Sequence, residues 1–184
     1  MDDKAQTVMI ADGLSDEYLQ NILKLERECF PAEWQYQSPE EYYAEMLKSK
    51  ENINIFLRNN GKAIGYVLAR PFNTAVLELK EHDPKLCEDV DKFYIETIQI
   101  LPEFQGRGGA RKLLTVACEE VLNRGVTKLA IHARTSNRFH EKIKKIFKGS
   151  VILSRKIEKW ALANGEPYEY IEWQYMPSRG MNTR

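Results

Sequence analysis

The chain is poor in cysteine and histidine and has no net charge. Its three cysteines, Cys29, Cys87 and Cys118, are odd in number and far apart. They make neither a disulfide framework nor a metal-ligand pair, and a reducing compartment is the simpler expectation. Lys plus Arg and Asp plus Glu both number 27, so the net charge is zero. That balance removes the broad basic field of a general nucleic-acid or membrane-surface binder. No apolar run approaches the ~18–20 residues of a membrane span, and the opening MDDKAQTVMIADG is too polar for a signal peptide. The expectation is a cytoplasmic protein with no metal, no nucleic-acid partner and no membrane contact. Internal repeats and low-complexity stretches are missing too. So are the dinucleotide fingerprint GxGxxG and the phosphate loop GxxxxGK[ST].

What is present is an ordinary globular composition, 43% apolar and 29% charged over 184 residues. That length suits a single domain, 1–184, with a core over about 6–176 and a short flexible tail at 177–184. QTVMI at 6–10 reads as a strand. Ser15 offers an N-cap to a helix running to about Cys29, which Pro31 ends. Ser38-Pro39-Glu40-Glu41 opens a second helix, to about Lys50. INIFLR (53–58) and KAIGYVLAR (62–70) read as strands joined by the hairpin signal Asn59-Asn60-Gly61. An acidic connection follows over 77–92, and then FYIETIQI (93–100), the clearest strand. A helix starts near Gly108, carries Leu113, Leu114, Ala117, Cys118, Val121 and Leu122 at helical spacing, and is capped by Gly125. TKLAIHA (127–133) is a strand. Ser136 or Asn137 caps a helix with the stripe Phe139, Ile143, Ile146 and Phe147. Strands over roughly 151–163 and 168–176 close the chain, with Asn164-Gly165 at the turn. The pattern predicts an α+β (α/β sandwich-like) domain with a mixed sheet.

LPEFQGRGGARKLL (101–114) stands between a strand and a helix. A glycine-rich turn there presents unpaired amides at the positive end of a helix, a general device for holding phosphate. Arg107 and Arg111 add charge, and a pyrophosphate is the obvious ligand. A turn that only links strand to helix is the plainer reading. Gln105-Gly106-Arg107-Gly108-Gly109-Ala110 resembles the Q/R-x-x-G-x-G/A acetyl-CoA loop of the GCN5-related N-acetyltransferases (GNAT). Its context, Ile98-Gln99-Ile100-Leu101-Pro102-Glu103 before and Leu113-Leu114 after, is similar to that family, as is the element order over about 6–176.

The resemblance implies a GNAT fold. Its central mixed sheet would have six to seven strands and about four flanking helices, with strands 93–100 and 127–133 splayed at the cofactor cleft. It implies acetyl-CoA as co-substrate, with its pyrophosphate on Gln105, Gly106, Arg107, Gly108, Gly109, Ala110 and Arg111. Pantetheine would pair with the backbone of Ile98, Gln99 and Ile100. The implied activity is transfer of an acetyl group to a primary amine, on a small molecule or a protein. A catalytically weak or inactive acetyl-CoA-binding regulatory module of the same fold is the alternative.

Two residues are candidates for the base. Glu96 is an acid inside an otherwise apolar strand, expensive unless paired or at a cleft; alternation sets it on one side with Tyr94. Several members of the family resembled use a glutamate on this strand as base. A structural acid is the competing account. LAIHARTSN resembles L-x-L-E-V-R-x-S-N of the ribosomal-protein alanine acetyltransferases, with His132 at their catalytic glutamate and Asn137 at their cofactor-contacting asparagine. A satisfied core histidine and a plain helix cap are the competing accounts. The family's frequent tyrosine acid, seven residues after that asparagine, is here Lys144, which reads as part of a solvated basic face. Tyr94, Tyr168 and Tyr170 are possible substitutes. No cysteine sits in a nucleophile setting, so direct attack in a ternary complex is favoured over an acetyl-enzyme. Phe30, Trp34, Tyr36, Tyr42 and Tyr43 lie where the family builds its acceptor wall. The acidic 77–92 stretch is either a steering surface for cations or a bland loop. The chain is expected as a monomer or homodimer.

Overall fold

The computed structural model describes residues 6–160 and 165–176. Seven strands, β1 (Gln6–Ile10), β2 (Ile53–Asn59), β3 (Lys62–Pro71), β4 (Lys92–Ile100), β5 (Lys128–Arg134), β6 (Val151–Trp160) and β7 (Glu166–Gln174), form one mixed sheet in the order β1-β2-β3-β4-β5-β7-β6. Five α-helices accompany it: α1 (Asp16–Cys29), α2 (Pro39–Lys48), α3 (Phe72–Leu79), α4 (Gly109–Asn123) and α5 (Phe139–Ile146). The chain packs as two compact units. One runs to Pro71 and resumes from Ile95 to Glu120; the other takes Phe72–Tyr94 and everything from Val121. The anticipated tail at 177–184 and Asn164 of the last turn lie outside the described residues.

In the first unit, β1, β2 and β3 are an antiparallel meander. Asn60 (φ 49°) and Gly61 (φ 77°) both adopt left-handed backbone, the pair a tight hairpin turn requires. Ile53–Leu57 are all buried, because β2 is the inner strand of three and is covered on both faces. Its one polar member there, Asn54, accepts the Tyr66 O–H (2.9 Å). Ser15 Oγ accepts the Tyr18 N–H (3.1 Å) to open α1, with Asp16 and Glu17 in the first turn and Arg27 in the last. The apolar stripe Leu19, Ile22, Leu23 packs inward. At α2, Pro39 opens the helix while the Ser38 side chain makes no capping bond.

The second unit differs from expectation at its start. The sequence predicts a connection over 77–92 and no element over 72–76, yet Phe72–Leu79 is a helix. Phe72, Ala75, Val76 and Leu79 recur at helical spacing and all are buried. They pack with Leu86, Tyr94, Ala130, Trp160 and Tyr170 into one core cluster. Phe147 stacks on Trp173 (4.6 Å) in a second patch. The cap of α5 also moves. Arg138, in left-handed backbone (φ 57°), is the N-cap; Ser136 instead donates to Glu166 (3.1 Å), and Asn137 Oδ1 accepts the Phe139 N–H (3.0 Å).

Where β3 and β4 lie side by side in the first unit, Gly65 is the contact point. A Cβ there would sit 2.9 Å from the Gln99 carbonyl oxygen and 3.0 Å from Ile100 Cγ1. The nearest atom is backbone and cannot swing away. Gly65→Ala is expected to lower unfolding stability by about 1–3 kcal/mol, read as a shifted urea midpoint with unchanged m-value.

Candidate active site

The turn before α4 has the anticipated backbone. Gly106 (φ 77°) and Gly108 (φ 82°) are both left-handed, and a Cβ at either would meet nothing within 4 Å, so these positions need glycine for conformation. Gly109 needs it for space: its Cβ would lie 2.8 Å from Leu57 Cδ2 and 3.0 Å from Ile100 Cδ1. The tight seat brings the first turn of α4 down onto β2 and β4. Lys112 donates to the Gly108 carbonyl (3.1 Å), leaving the amides of Gly109, Ala110 and Arg111 without helical partners at the positive end of the dipole. Gln105 Nε2 donates to the Ile100 carbonyl (2.9 Å), tying the turn to the end of β4. The side chains of Arg107 and Arg111 are exposed, the Arg107 guanidinium lying over the Phe104 ring (5.6 Å). These residues fit a pyrophosphate.

Glu96 is in the same unit. Its Oε2 accepts from Arg70 Nε (2.8 Å) and its Oε1 from the Tyr36 O–H (3.2 Å). The two side chains of this ion pair are 3% (Arg70) and 11% (Glu96) exposed. Beside it lies Glu26, buried on α1. It accepts the Tyr43 O–H, Gln99 Nε2 (3.0 Å) and the Tyr36 N–H (3.4 Å). Tyr36 stacks on Tyr42 (3.9 Å), and Tyr43 meets both rings edge-on. Burial, then the Glu96 carboxylate, pushes the Tyr36 and Tyr42 phenols well above the ordinary range; burial and then Glu26 does so for Tyr43. All three therefore act as neutral O–H groups. Burial, then Glu28, pushes the Cys29 thiol up to about 11, which makes it a poor nucleophile.

His132 and Asn137 belong to the second unit. His132 is buried with both ring nitrogens engaged, Nε2 to Asp83 Oδ2 (3.1 Å) and Nδ1 to the Tyr94 hydroxyl (2.9 Å). Its ring stacks on Trp160 (4.3 Å). Burial lowers its pKa against the opposing pull of Asp83. A neutral ring that donates from Nε2 to Asp83 accepts the Tyr94 proton at Nδ1. Asp83 also accepts from Arg155. Lys144 is 39% exposed and so partly solvated, but it also has a partner. Its ammonium is held on the buried Glu169 at 2.9 and 3.0 Å, because α5 sets it over β7. In the acidic 77–92 stretch Asp83 joins the histidine network and Asp89 pairs with Lys128 (2.6 Å) and Lys92 (3.4 Å), while Glu78, Glu81 and Glu88 are exposed.

Sequence reading missed Glu26, Arg70 and Asp83. Glu26 carried a signal, an acid at the next position of the stripe Leu19, Ile22, Leu23. Arg70 and Asp83 had none, since their partners are distant in sequence. Among the described residues no group of three or more His, Cys, Asp or Glu side chains is placed to hold a metal ion, and no helix is long and apolar enough to cross a membrane.

Comparison with known proteins places this architecture. The Acetyltransferase (GNAT) family model matches residues 19–143. Among solved structures, the ribosomal-protein-S18-alanine N-acetyltransferase of Escherichia coli superposes with a TM-score of 0.65 at 17% identity, over 97% of this chain and 99% of that one. NAA60 of Arabidopsis thaliana, in complex with acetyl-CoA, gives 0.67 at 16% identity, over 92% and 100%. The PaiA N-acetyltransferase of Thermoplasma acidophilum, in complex with coenzyme A, gives 0.63 at 12%, over 92% and 99%. No curated protein sequence matches the chain. The chain belongs to the GNAT acetyltransferase family.

The histidine network makes stability depend on acid. Burial alone would raise the Asp83 carboxyl, but the hydrogen bonds from His132 and Arg155 and the Arg155 charge hold it at about 2. The folded carboxyl thus binds its proton less tightly than the unfolded one, near ~3.9. Its contribution, of order 2 kcal/mol, is complete above about pH 4 and is lost as pH falls toward 2. Urea unfolding at successive pH values should show wild type losing more stability across that window than Asp83→Asn, which is weaker at neutral pH but flatter.

Proposed function

We propose that the protein transfers the acetyl group of acetyl-CoA to a primary amine by direct attack in a ternary complex, with Glu96 as the general base. The observation that carries this reading is the pairing, in one compact unit, of the Gln105–Arg111 anion cradle with a partly buried carboxylate four residues before the end of the strand that leads into it. The amides of Gly109, Ala110 and Arg111 would hold the pyrophosphate, helped by the side chains of Arg107 and Arg111. The backbone of Ile98, Gln99 and Ile100 would pair with pantetheine.

The acceptor enters as an ammonium and loses a proton to Glu96, directly or through one water. The amine nitrogen then bonds the thioester carbonyl carbon, the carbon–sulfur bond breaks, and the second proton that the nitrogen loses as the amide forms passes to the departing sulfur, so coenzyme A leaves as the thiol. Arg70 fixes the Glu96 carboxylate so that one oxygen faces the Tyr36 side. His132 has no ring nitrogen left to meet an amine directly, so its part is to hold Tyr94. Lys144, the residue in place of the family's tyrosine acid, is committed to Glu169. That commitment favours the second reading, an acetyl-CoA-binding module with weak or no turnover, and the experiment separates the two.

Calorimetry should show micromolar acetyl-CoA binding by the wild type and its loss in Gly108→Glu, where both φ and the new carboxylate oppose the phosphate. Absence of binding by the wild type would overturn the co-substrate assignment. Thiol release with a panel of amines then tests turnover. Glu96→Gln should cut kcat roughly a hundredfold or more and remove the limb of the pH–rate profile that reports the base, with acetyl-CoA affinity kept. Acetyl-CoA binding without thiol release from any amine would support the regulatory module instead.

A further inference from the structure

β1 stands at one end of the strand order and has a strand on one side only, β2. Both of its faces are held. Lys112 of α4 donates to Gln6 Oε1 (2.9 Å) on one, and the Tyr18 hydroxyl of α1 meets Met9 Sδ (4.0 Å) on the other. Its register against β2 runs from Gln6↔Asn59 to Ile10↔Ile55 without a shift. The Ala11 N–H donates to the Asn54 carbonyl (2.8 Å), which sets the phase of the ladder. In an antiparallel ladder, alternate residues turn both backbone groups to the same neighbour. Thr7 and Met9 therefore turn theirs to β2, and Gln6, Val8 and Ile10 turn theirs outward. Among the described residues nothing pairs with that outward row.

An edge of this kind is commonly blunted by a charge, a proline or a bulge. QTVMI has none of the three. Every residue of β1 is at least partly exposed, whereas Ile53–Leu57 of β2 beside it are all buried. Ile10 is 43% exposed, and Leu14 just beyond the strand is 42% exposed. The strand therefore offers an unbroken row of amides and carbonyls together with apolar side chains. Both gain from a matching strand.

We propose that this row is the contact for a second copy of the chain, joined edge to edge through β1 about a two-fold axis. The β1-β2-β3 meanders of the two copies then continue into one antiparallel sheet. Centred on Val8, the pairing uses the whole strand. Val8 faces Val8 of the partner subunit, and Gln6 faces Ile10 of the partner subunit. Each outward residue exchanges its N–H and C=O with the residue opposite. Two features single out a second copy over a foreign strand. The outward residues are symmetric about Val8, so the strand turned end for end presents the same row of donors and acceptors. Antiparallel self-pairing also sets like charges close together, and β1 carries none. The contact closes as well: once two copies pair, neither has a β1 edge left, and assembly stops at two. This surface lies in the first unit and does not depend on the acetyltransferase reading.

Sedimentation equilibrium of the full chain from about 1 to about 200 μM tests the contact, because a short strand pairing gives a micromolar dimer. The average mass should rise from that of one chain to that of two and no further. Val8→Pro removes an N–H that points outward, a loss that an edge strand tolerates. The variant should keep the wild-type urea midpoint at low concentration, while its dimer dissociation constant rises about tenfold or more. Hydrogen exchange on the wild type gives an answer without any variant. The Val8 and Ile10 amides should exchange about tenfold more slowly at the top of the concentration range than at the bottom. A wild type that stays monomeric throughout, a dimer whose Val8 and Ile10 amides exchange at the monomer's rate, or a mass that grows past two chains would each overturn the inference.

Discussion

The Arg70–Glu96 ion pair is the constraint on which the first unit depends. Both groups are largely out of water, and either alone would be a serious penalty. Together they fix the end of β3 against β4, and the carboxylate then organises what surrounds it. Tyr36 turns its hydroxyl to Glu96, which places its ring on Tyr42 and its backbone N–H toward Glu26. Glu26 in turn collects Tyr43 and Gln99. The cluster is not fully satisfied, since Tyr42 Oη and Gln99 Oε1 are buried without a partner among the described residues. The Arg70 pairing explains why an acid can stand in an apolar strand without fraying it.

The second unit uses the same physics differently. Its polar core is the chain Arg155, Asp83, His132, Tyr94, in which each member has a partner and the aromatic faces of Trp160 and Tyr170 close over the imidazole. Where the first cluster keeps an orphaned acceptor and an exposed ring, this one is saturated. The closed cluster holds β4, β5 and the 77–92 segment in register.

Much of this was legible in the sequence wherever the determinant was local. The hairpin at Asn60-Gly61, the Ser15 cap, the left-handed glycines at 106 and 108 and the stripe of α4 each depend on neighbours within a few residues. The seven strands and the family followed from them. The losses were of two kinds. Helix α3 begins at Phe72 directly after β3 ends at Pro71, so no loop marks its start, although Phe72, Ala75, Val76 and Leu79 spell its face. The partners of the site were invisible for a deeper reason. Arg70 meets Glu96, Asp83 meets His132 and Lys144 meets Glu169 only through the fold, and nothing in local spacing distinguishes a lysine on a carboxylate from one in water.

The last strand of the sheet order has a bearing on how the protein survives in a crowded solution. β6 is an edge, and edges recruit further strands. Here Arg155, Lys156, Glu158 and Lys159 occur in quick succession along it, and its pairing with β7 is interrupted between Val151 and Leu153 and again between Ile157 and Trp160. Closely spaced charge and broken register make it a poor template for cross-β growth. At its β6 end the sheet is a poor place for a further strand to add.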